Sequence, residues 1–265
     1  MVGEVGPVRG LVSPVEIVAI LLAGMAAGTI NTIVGSGTLV TFPTLLFFGH
    51  PPVSANVSNS LGLVAGGISG AWGYRHELRS LGHVVSRLAP VSFVGAAIGA
   101  LLLLWLPPEA FEAIVPVLIA IALALVVFGP ALNRWAATQH AESLSPGRWV
   151  ALVLGILLAG MYGGYFGAAQ GVLLIGIMSV LLPLGLQQVN GVKNVLGLIV
   201  NLVAALVFLV VQPAQINWAV VGLIAAGSLV GGVVGARAGR AMPPWLLRTV
   251  IVVIGVVAIV VLLAR

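Results

Sequence analysis

The stretch QQVNGVKNVLGLIVN, residues 187–201, holds the only lysine of the chain, Lys193, flanked on both sides by long uncharged sequence. An ionisable residue deep in an apolar segment is costly and marks a functional site by default. Polar and small residues share its helical face at three- to four-residue spacing: Asn190, Lys193 or Asn194, Gly197 and Asn201. A single ammonium beside amide groups is suited to holding a small oxyanion.

Two glycine-rich stretches interrupt the apolar sequence, NTIVGSGT at 31–38 and GYFGAAQG at 164–171. The apolar runs that follow are too short to cross about 30 Å of hydrocarbon. Half-length helices of this kind can hold an anion at their free N-terminal amides, and glycine lets the backbone approach a ligand closely. We therefore expect both breaks at the bilayer midplane, facing a substrate.

A second polar face occurs earlier in the chain, on the apolar segment near 53–74. Its members are Asn56, Asn59, Ser60 and Gly66. The two polar faces are expected to meet near the centre of the protein, with the breaks between them.

Composition determines which elements must position these residues. Of 265 residues, 60% are hydrophobic and only 6% are charged, which is the balance of an integral membrane protein. The apolar runs are long enough for helices and lack the short alternating pattern of an outer-membrane barrel. The sequence predicts an all-α polytopic membrane protein, one compact bundle in a lipid bilayer.

Several residue types are missing. The chain has no cysteine and no aspartate, and its six glutamates lie at or near segment ends. We therefore expect no metal, no cofactor and no catalytic activity, and a polytopic membrane enzyme is the less favoured alternative. The net charge of +5 comes mostly from scattered arginines, which indicates topology signals and no nucleic-acid partner.

Ten apolar runs form two sets of five. The runs lie near 14–34, 38–49, 53–74, 84–106 and 109–131, and then near 147–167, 172–185, 190–211, 217–236 and 244–264. The predicted organisation is a first repeat at 14–131, a cytoplasmic linker at 132–146 and a second repeat at 147–264.

A nearly constant offset relates the two sets. Adding 136 to Gly24, Gly28, Gly35, Gly49, Gly95, Gly99, Pro107 and Pro108 gives Gly160, Gly164, Gly171, Gly185, Gly231, Gly235, Pro243 and Pro244. Such end-to-end agreement predicts an internal duplication. Glycine ladders stepping by four, such as Gly62, Gly66 and Gly70, indicate close helix packing and leave a homodimer open.

The charges predict that the copies are inverted, because arginine-rich loops stay cytoplasmic. In the first copy the loop after the third run is basic, and in the second copy the following loop is the basic one. The arginines concerned are Arg75, Arg79 and Arg87, and then Arg237, Arg240 and Arg248. Inversion requires an odd number of crossings per copy, either three or five. Both versions place the two termini outside.

Residues 28–75, GTINTIVGSGTLVTFPTLLFFGHPPVSANVSNSLGLVAGGISGAWGYR, and residues 160–208, GMYGGYFGAAQGVLLIGIMSVLLPLGLQQVNGVKNVLGLIVNLVAALVF, resemble the two repeat signatures of the sulfite exporter TauE/SafE family. The resemblance implies export of a sulfur oxyanion or small organosulfonate through the bacterial inner membrane. It also implies substrate contacts at Asn31, Gly35, Ser36, Gly37, Thr38, Gln170, Gly171, Asn190, Lys193 and Asn194; Asn59 joins them from the first polar face. The sequence departs from symmetry in having Ser58 and Asn59 where the second copy has Lys193 and Asn194.

The resulting prediction is a secondary transporter that exports sulfite, sulfoacetate or a related anion by alternating access at a midplane site. A passive anion channel is the alternative that shares this site. Whether transport is coupled to protons stays open at the level of sequence.

Overall fold

The computed structural model describes residues 13–137 and 145–238, together with 249, 252, 253 and 256. Within these residues the ordered elements are helices: α1 Pro14–Ile33, α2 Thr38–Phe47, α3 Pro52–Gly73, α4 Arg75–Leu78, α5 Gly82–Trp105, α6 Pro108–Ala137, α7 Pro146–Tyr165, α8 Gln170–Leu181, α9 Leu186–Val211 and α10 Trp218–Ala238, with a 3₁₀ turn at Pro213–Gln215.

The predicted helical membrane protein is confirmed. The first nine predicted runs each coincide with a helix, and six helices are long and apolar enough to cross a membrane. Most of the run at 244–264 and residues 138–144 of the predicted linker lie outside the described residues, as do Arg240 and Arg248.

The two helices that precede the breaks begin in the same way. The Ser13 hydroxyl accepts a hydrogen bond from the Glu16 N–H, and the Ser145 hydroxyl accepts one from the Arg148 N–H. A proline follows each serine as the first helical residue, where its missing N–H costs nothing. Each helix start therefore satisfies one of the N–H groups that a helix leaves unpaired.

The half-length helices are observed where they were predicted. α2 has 10 residues and α8 has 12, so they extend about 15 to 18 Å, well short of a bilayer. α3 has the length of a span, with 22 residues, but it is less apolar than the six candidate spans because buried serines and asparagines occupy its first half. α3 therefore lies inside the bundle with its polar residues covered.

Glycines bring two pairs of helices into backbone contact, α1 with α10 and α5 with α7. A methyl group at Gly231 would overlap the carbonyl oxygen of Met25, and one at Gly95 would overlap that of Leu157. Close helix packing is thus the role of Gly231 and Gly95.

In the first part of each set, corresponding helices are not separated by the predicted offset of 136 residues. α1 and α7 begin, and also end, 132 residues apart. The glycines with positive φ after these helices, Gly35 at 87° and Gly167 at 78°, share that spacing. The predicted pairing of Gly35 with Gly171 is therefore wrong by about one helical turn. Glycines recurring at each turn make neighbouring registers look alike, whereas α5 and α10 do begin 136 residues apart.

α3 and α9, which correspond to the third run of each set, pack side by side in opposite directions. Gly191 near the start of α9 lies beside Tyr74, which follows the end of α3. Further along α9, Leu198 lies against Gly67, which is earlier in α3. This antiparallel pair forms one wall of the centre of the protein.

Candidate functional site

A cavity of about 40 Å³ lies where the two breaks, α3 and α9 come together. One water molecule needs about 10 to 15 Å³ of such space, so the cavity has room for a few water molecules or one small ion. Its lining combines both breaks with one face of α9: Asn31, Gly35, Thr38, Gly67, Gly167, Gln170, Gly171, Lys193, Asn194, Gly197, Leu198 and Asn201.

Among the described residues that line the cavity, Lys193 is the only charged one. It is buried, with 2% of its surface exposed. Its ammonium donates hydrogen bonds to the carbonyl oxygens of Asn31 at 2.9 Å and Thr32 at 3.0 Å. The neighbouring Asn194 Nδ2 donates to the same Thr32 oxygen at 3.1 Å. The last carbonyls of a helix have no partner within it and carry its partial negative charge. Lys193 therefore caps the C-terminal end of α1.

The two breaks touch at the cavity. The Gly171 N–H donates to the Gly35 carbonyl oxygen at 3.0 Å. A methyl group on either glycine would overlap the Cα atom of the other. Gly35 also has a φ of 87°, in the left-handed region that favours glycine. Both glycines are thus required by this backbone contact.

The start of α2 is held by side chains of α1 and α3. The Asn31 Oδ1 accepts a hydrogen bond from the Gly37 N–H at 2.7 Å. Asn59 accepts a short hydrogen bond from the Thr41 hydroxyl and donates through Nδ2 to Thr38 Oγ1 at 3.3 Å. Asn59 therefore acts on the cavity through Thr38.

Some buried polar atoms near the breaks have no hydrogen-bond partner among the described residues. The Gln170 Nε2 is one of them, on a side chain 6% exposed that lines the cavity. The Ser36 hydroxyl and the Asn190 Oδ1 are others, although neither residue lines the cavity. Leaving such a group unpaired costs about 1 to 3 kcal/mol, which an acceptor in the cavity would recover for Gln170.

The structure brings together seven of the predicted site residues: Asn31, Gly35, Thr38, Gln170, Gly171, Lys193 and Asn194. Four others lie next to the cavity or behind its wall without lining it: Ser36, Gly37, Asn59 and Asn190. Gly197 and Asn201 come from the predicted polar face of α9. Sequence reasoning missed Gly67, Gly167 and Leu198; the 132-residue spacing from Gly35 would have identified Gly167.

Of the two polar faces that were expected to meet at the centre, only the face on α9 lines the cavity. From α3, Gly67 alone lines the cavity. Asn56 instead donates to the Tyr165 carbonyl oxygen at 3.0 Å, and Gly66 lies against Ser228 of α10. The first polar face therefore holds helices together, and the second face supplies the cavity.

These features define the class: a multi-pass helical membrane protein with a buried cation at a central cavity between two interrupted helices. Residues 20–262 match the sulfite exporter TauE/SafE family, and the chain belongs to that family.

The relatives that the chain matches are described as probable membrane transporters. The chain is 28% identical to a probable membrane transporter protein of Haemophilus influenzae, over 90% of this chain and 91% of the relative. It is 27% identical to the probable membrane transporter protein YfcA of Escherichia coli K12, covering 93% and 89%. It is 30% identical to the probable membrane transporter protein ORF9 of a Sinorhizobium species, covering 92% and 91%. No solved structure matches.

The family and its relatives support a membrane transporter, which is not an enzyme class. The six apolar helices fit the same conclusion, since they make a multi-pass membrane protein.

Proposed function

We propose that this protein is a secondary transporter that exports a small sulfur-containing anion, such as sulfite, sulfoacetate or a related organosulfonate, across the bacterial inner membrane. The observation that carries the proposal is the central cavity, whose one charged lining residue is Lys193. Under an inside-negative potential, anion export is favoured by about 2.3 kcal/mol per charge for each 100 mV.

The anion is held by donors that converge on the cavity. Lys193 has one ammonium proton beyond the two that bind carbonyl oxygens, and the Gln170 Nε2 has no hydrogen-bond partner in the described part of the chain. The N-terminal ends of α2 and α8, at Thr38 and Gln170, add the partial positive charge of a helix start. Asn59 and Gly37 position this arrangement from behind.

Alternating access arises from rocking of one inverted repeat against the other. The 132-residue spacing of α1 with α7 and the antiparallel packing of α3 on α9 support two inverted copies. In this scheme the linker at 132–146 is cytoplasmic and both termini are outside. Assembly as a homodimer stays a prediction.

The direct test is uptake by proteoliposomes of sulfite, sulfoacetate, sulfate and chloride, each compared with protein-free vesicles. Saturable uptake of a sulfur anion, accelerated by the same anion on the opposite side, is the expected result for a carrier. Uptake that neither saturates nor responds to trans-substrate would mean a channel. Vesicles that move none of the sulfur anions would remove the proposed function.

Filling the cavity with a single methyl group is expected to reduce transport at least tenfold. Gly197 lines the cavity, and a Cβ added there meets no described atom within 4 Å. Gly197→Ala should therefore fold normally, with a gain of about 0.5 to 1 kcal/mol in helix stability, while the methyl group displaces substrate. Initial uptake rates and Kd give the measurement.

The matched control is Gly222→Ala, on the exposed face of α10, where an added Cβ also meets no described atom within 4 Å. It makes the same change in helix propensity without touching the cavity, so transport should stay at the wild-type rate. Equal transport by the two variants would mean that substrate does not pass through this cavity.

Gly163→Ala is expected to weaken substrate binding about threefold to tenfold. Gly163 does not line the cavity, but a methyl group there would overlap the side-chain amide of Gln170 and push its Nε2 away from the substrate. The loss corresponds to one neutral hydrogen bond of about 0.5 to 1.5 kcal/mol. The control on the same helix is Gly155→Ala, whose methyl group is nearest to the side chain of Ile177 and not to Gln170. A Kd for Gly163→Ala equal to that of the control would exclude Gln170 as a substrate contact.

A further inference from the structure

Lys193 supplies less than one full positive charge to the cavity. Its one charged lining residue, Lys193, gives two hydrogen bonds to the carbonyl oxygens of Asn31 and Thr32. These carbonyls end α1, and a helix C-terminus carries roughly half a negative charge. Part of the charge of the ammonium is therefore already balanced by the protein.

The amides at the starts of the half-length helices add less than their position suggests. The Gly37 N–H binds the Asn31 Oδ1 at 2.7 Å, and the Gly171 N–H binds the Gly35 carbonyl oxygen at 3.0 Å. The unpaired side-chain donor of the lining, Gln170 Nε2, is neutral. Besides Lys193, the described lining therefore offers only neutral groups and the weakened partial charges of two helix starts, which do not amount to a second cation.

We infer that the site selects singly charged anions, hydrogen sulfite and organosulfonates with one ionised group, over doubly charged ones such as sulfate or fully ionised sulfoacetate. This inference rests on the proposed function and narrows its substrate class. A monoanion neutralises the ammonium, whereas a dianion would bury an uncompensated negative charge away from water. A cavity of about 40 Å³ leaves little space for water to hydrate that charge.

Methanesulfonate and sulfate make the decisive pair. They have the same number of heavy atoms and nearly the same shape, they differ by one charge, and neither titrates near neutral pH. Each is added at fixed pH and ionic strength as a competitor of sulfite uptake into wild-type proteoliposomes. Direct binding of both anions to the detergent-solubilised protein is measured in parallel by calorimetry. Methanesulfonate is expected to bind and compete at least tenfold more tightly than sulfate.

Asn201→Lys provides a gain-of-function test, because Asn201 lines the cavity and the substitution adds a second cation there. The ratio of sulfate affinity to methanesulfonate affinity is expected to rise at least tenfold. Asn201→Gln, which changes the size of the side chain without adding charge, should keep the wild-type ratio.

The possible results separate the inference from the proposed function. If wild-type vesicles transport sulfite but sulfate competes as well as methanesulfonate, the charge selectivity is overturned and the transporter stands. If the solubilised protein binds neither anion, the inference is also overturned. If no sulfur anion is transported while methanesulfonate binds more tightly than sulfate, the site is charge-selective and the proposed transport reaction is the part that fails.

Discussion

Lys193→Met is expected to abolish transport of the sulfur anion while leaving the helical bundle folded. Methionine keeps the length and volume of the apolar stem but removes the charge. Losing a charge-assisted contact with a desolvated ligand typically costs about 2 to 5 kcal/mol, which is at least a 30-fold loss of affinity. Initial rates of uptake into proteoliposomes and the Kd in detergent measure the effect.

Stability should change far less than transport in this variant, because two terms oppose each other. The Asn31 and Thr32 carbonyl oxygens lose their ammonium donor, which costs about 1 to 3 kcal/mol for buried acceptors. Removing a buried ammonium also removes its desolvation penalty of several kcal/mol. The melting temperature of the solubilised protein is therefore expected to shift by only a few degrees.

A control is needed because Lys193 both caps α1 and lines the cavity. Asn194→Leu removes a hydrogen bond to the same Thr32 oxygen and keeps the charge. Transport by Asn194→Leu should fall less than tenfold. If both variants lose transport only in proportion to their loss of stability, Lys193 is a helix cap. The anion would then be held by Gln170 and the N-terminal ends of α2 and α8.

The helices follow directly from the sequence because the bilayer leaves few choices. Long apolar runs must become helices when no water is available for backbone groups, and glycine and proline mark where the runs end. The half-length helices α2 and α8 were predictable for the same reason, since their apolar runs are short.

The partners of the site residues were not predictable. Lys193 was expected to face a small oxyanion, yet its ammonium binds the carbonyl oxygens of Asn31 and Thr32, more than 160 positions away. Backbone carbonyls leave no signal in residue types. Asn59 was predicted to contact the substrate for a similar reason, because an amide side chain can bind either a substrate or a neighbouring hydroxyl group. In the structure it binds the hydroxyl of Thr38.

The register of the two copies also depends on geometry that residue types do not carry. A shift of about one helical turn keeps every glycine on the same face, so the predicted equivalence of Gly35 and Gly171 looked sound. The backbone conformation instead makes Gly167 the equivalent of Gly35, because both glycines have positive φ. Gly171 instead contacts Gly35 from the opposite break.

Gly35→Ala is expected to lower the free energy of unfolding by about 2 to 5 kcal/mol and to abolish transport. The left-handed backbone at Gly35, with φ at 87°, costs a residue with a Cβ about 1 to 2 kcal/mol. The overlap of that Cβ with the Cα atom of Gly171 adds about 1 to 3 kcal/mol as overpacking. The atoms that this Cβ overlaps belong to the backbone of Gly171, so they cannot rotate away. The overlap is relieved only if the two breaks move apart.

Two further variants separate these terms. Gly49 has φ at 83° and no described atom within 4 Å of an added Cβ, so Gly49→Ala should show only the backbone strain of about 1 to 2 kcal/mol. Gly171 is not among the glycines with positive φ, yet its Cβ would overlap the Cα atom of Gly35, so Gly171→Ala should show only the overlap. Chemical unfolding in detergent measures all three variants. If Gly35→Ala costs no more than Gly49→Ala, the breaks do not touch in the folded protein. If it costs about the sum of the other two, the two breaks do touch in the folded protein. Rocking of the repeats must then keep this contact or replace it with another.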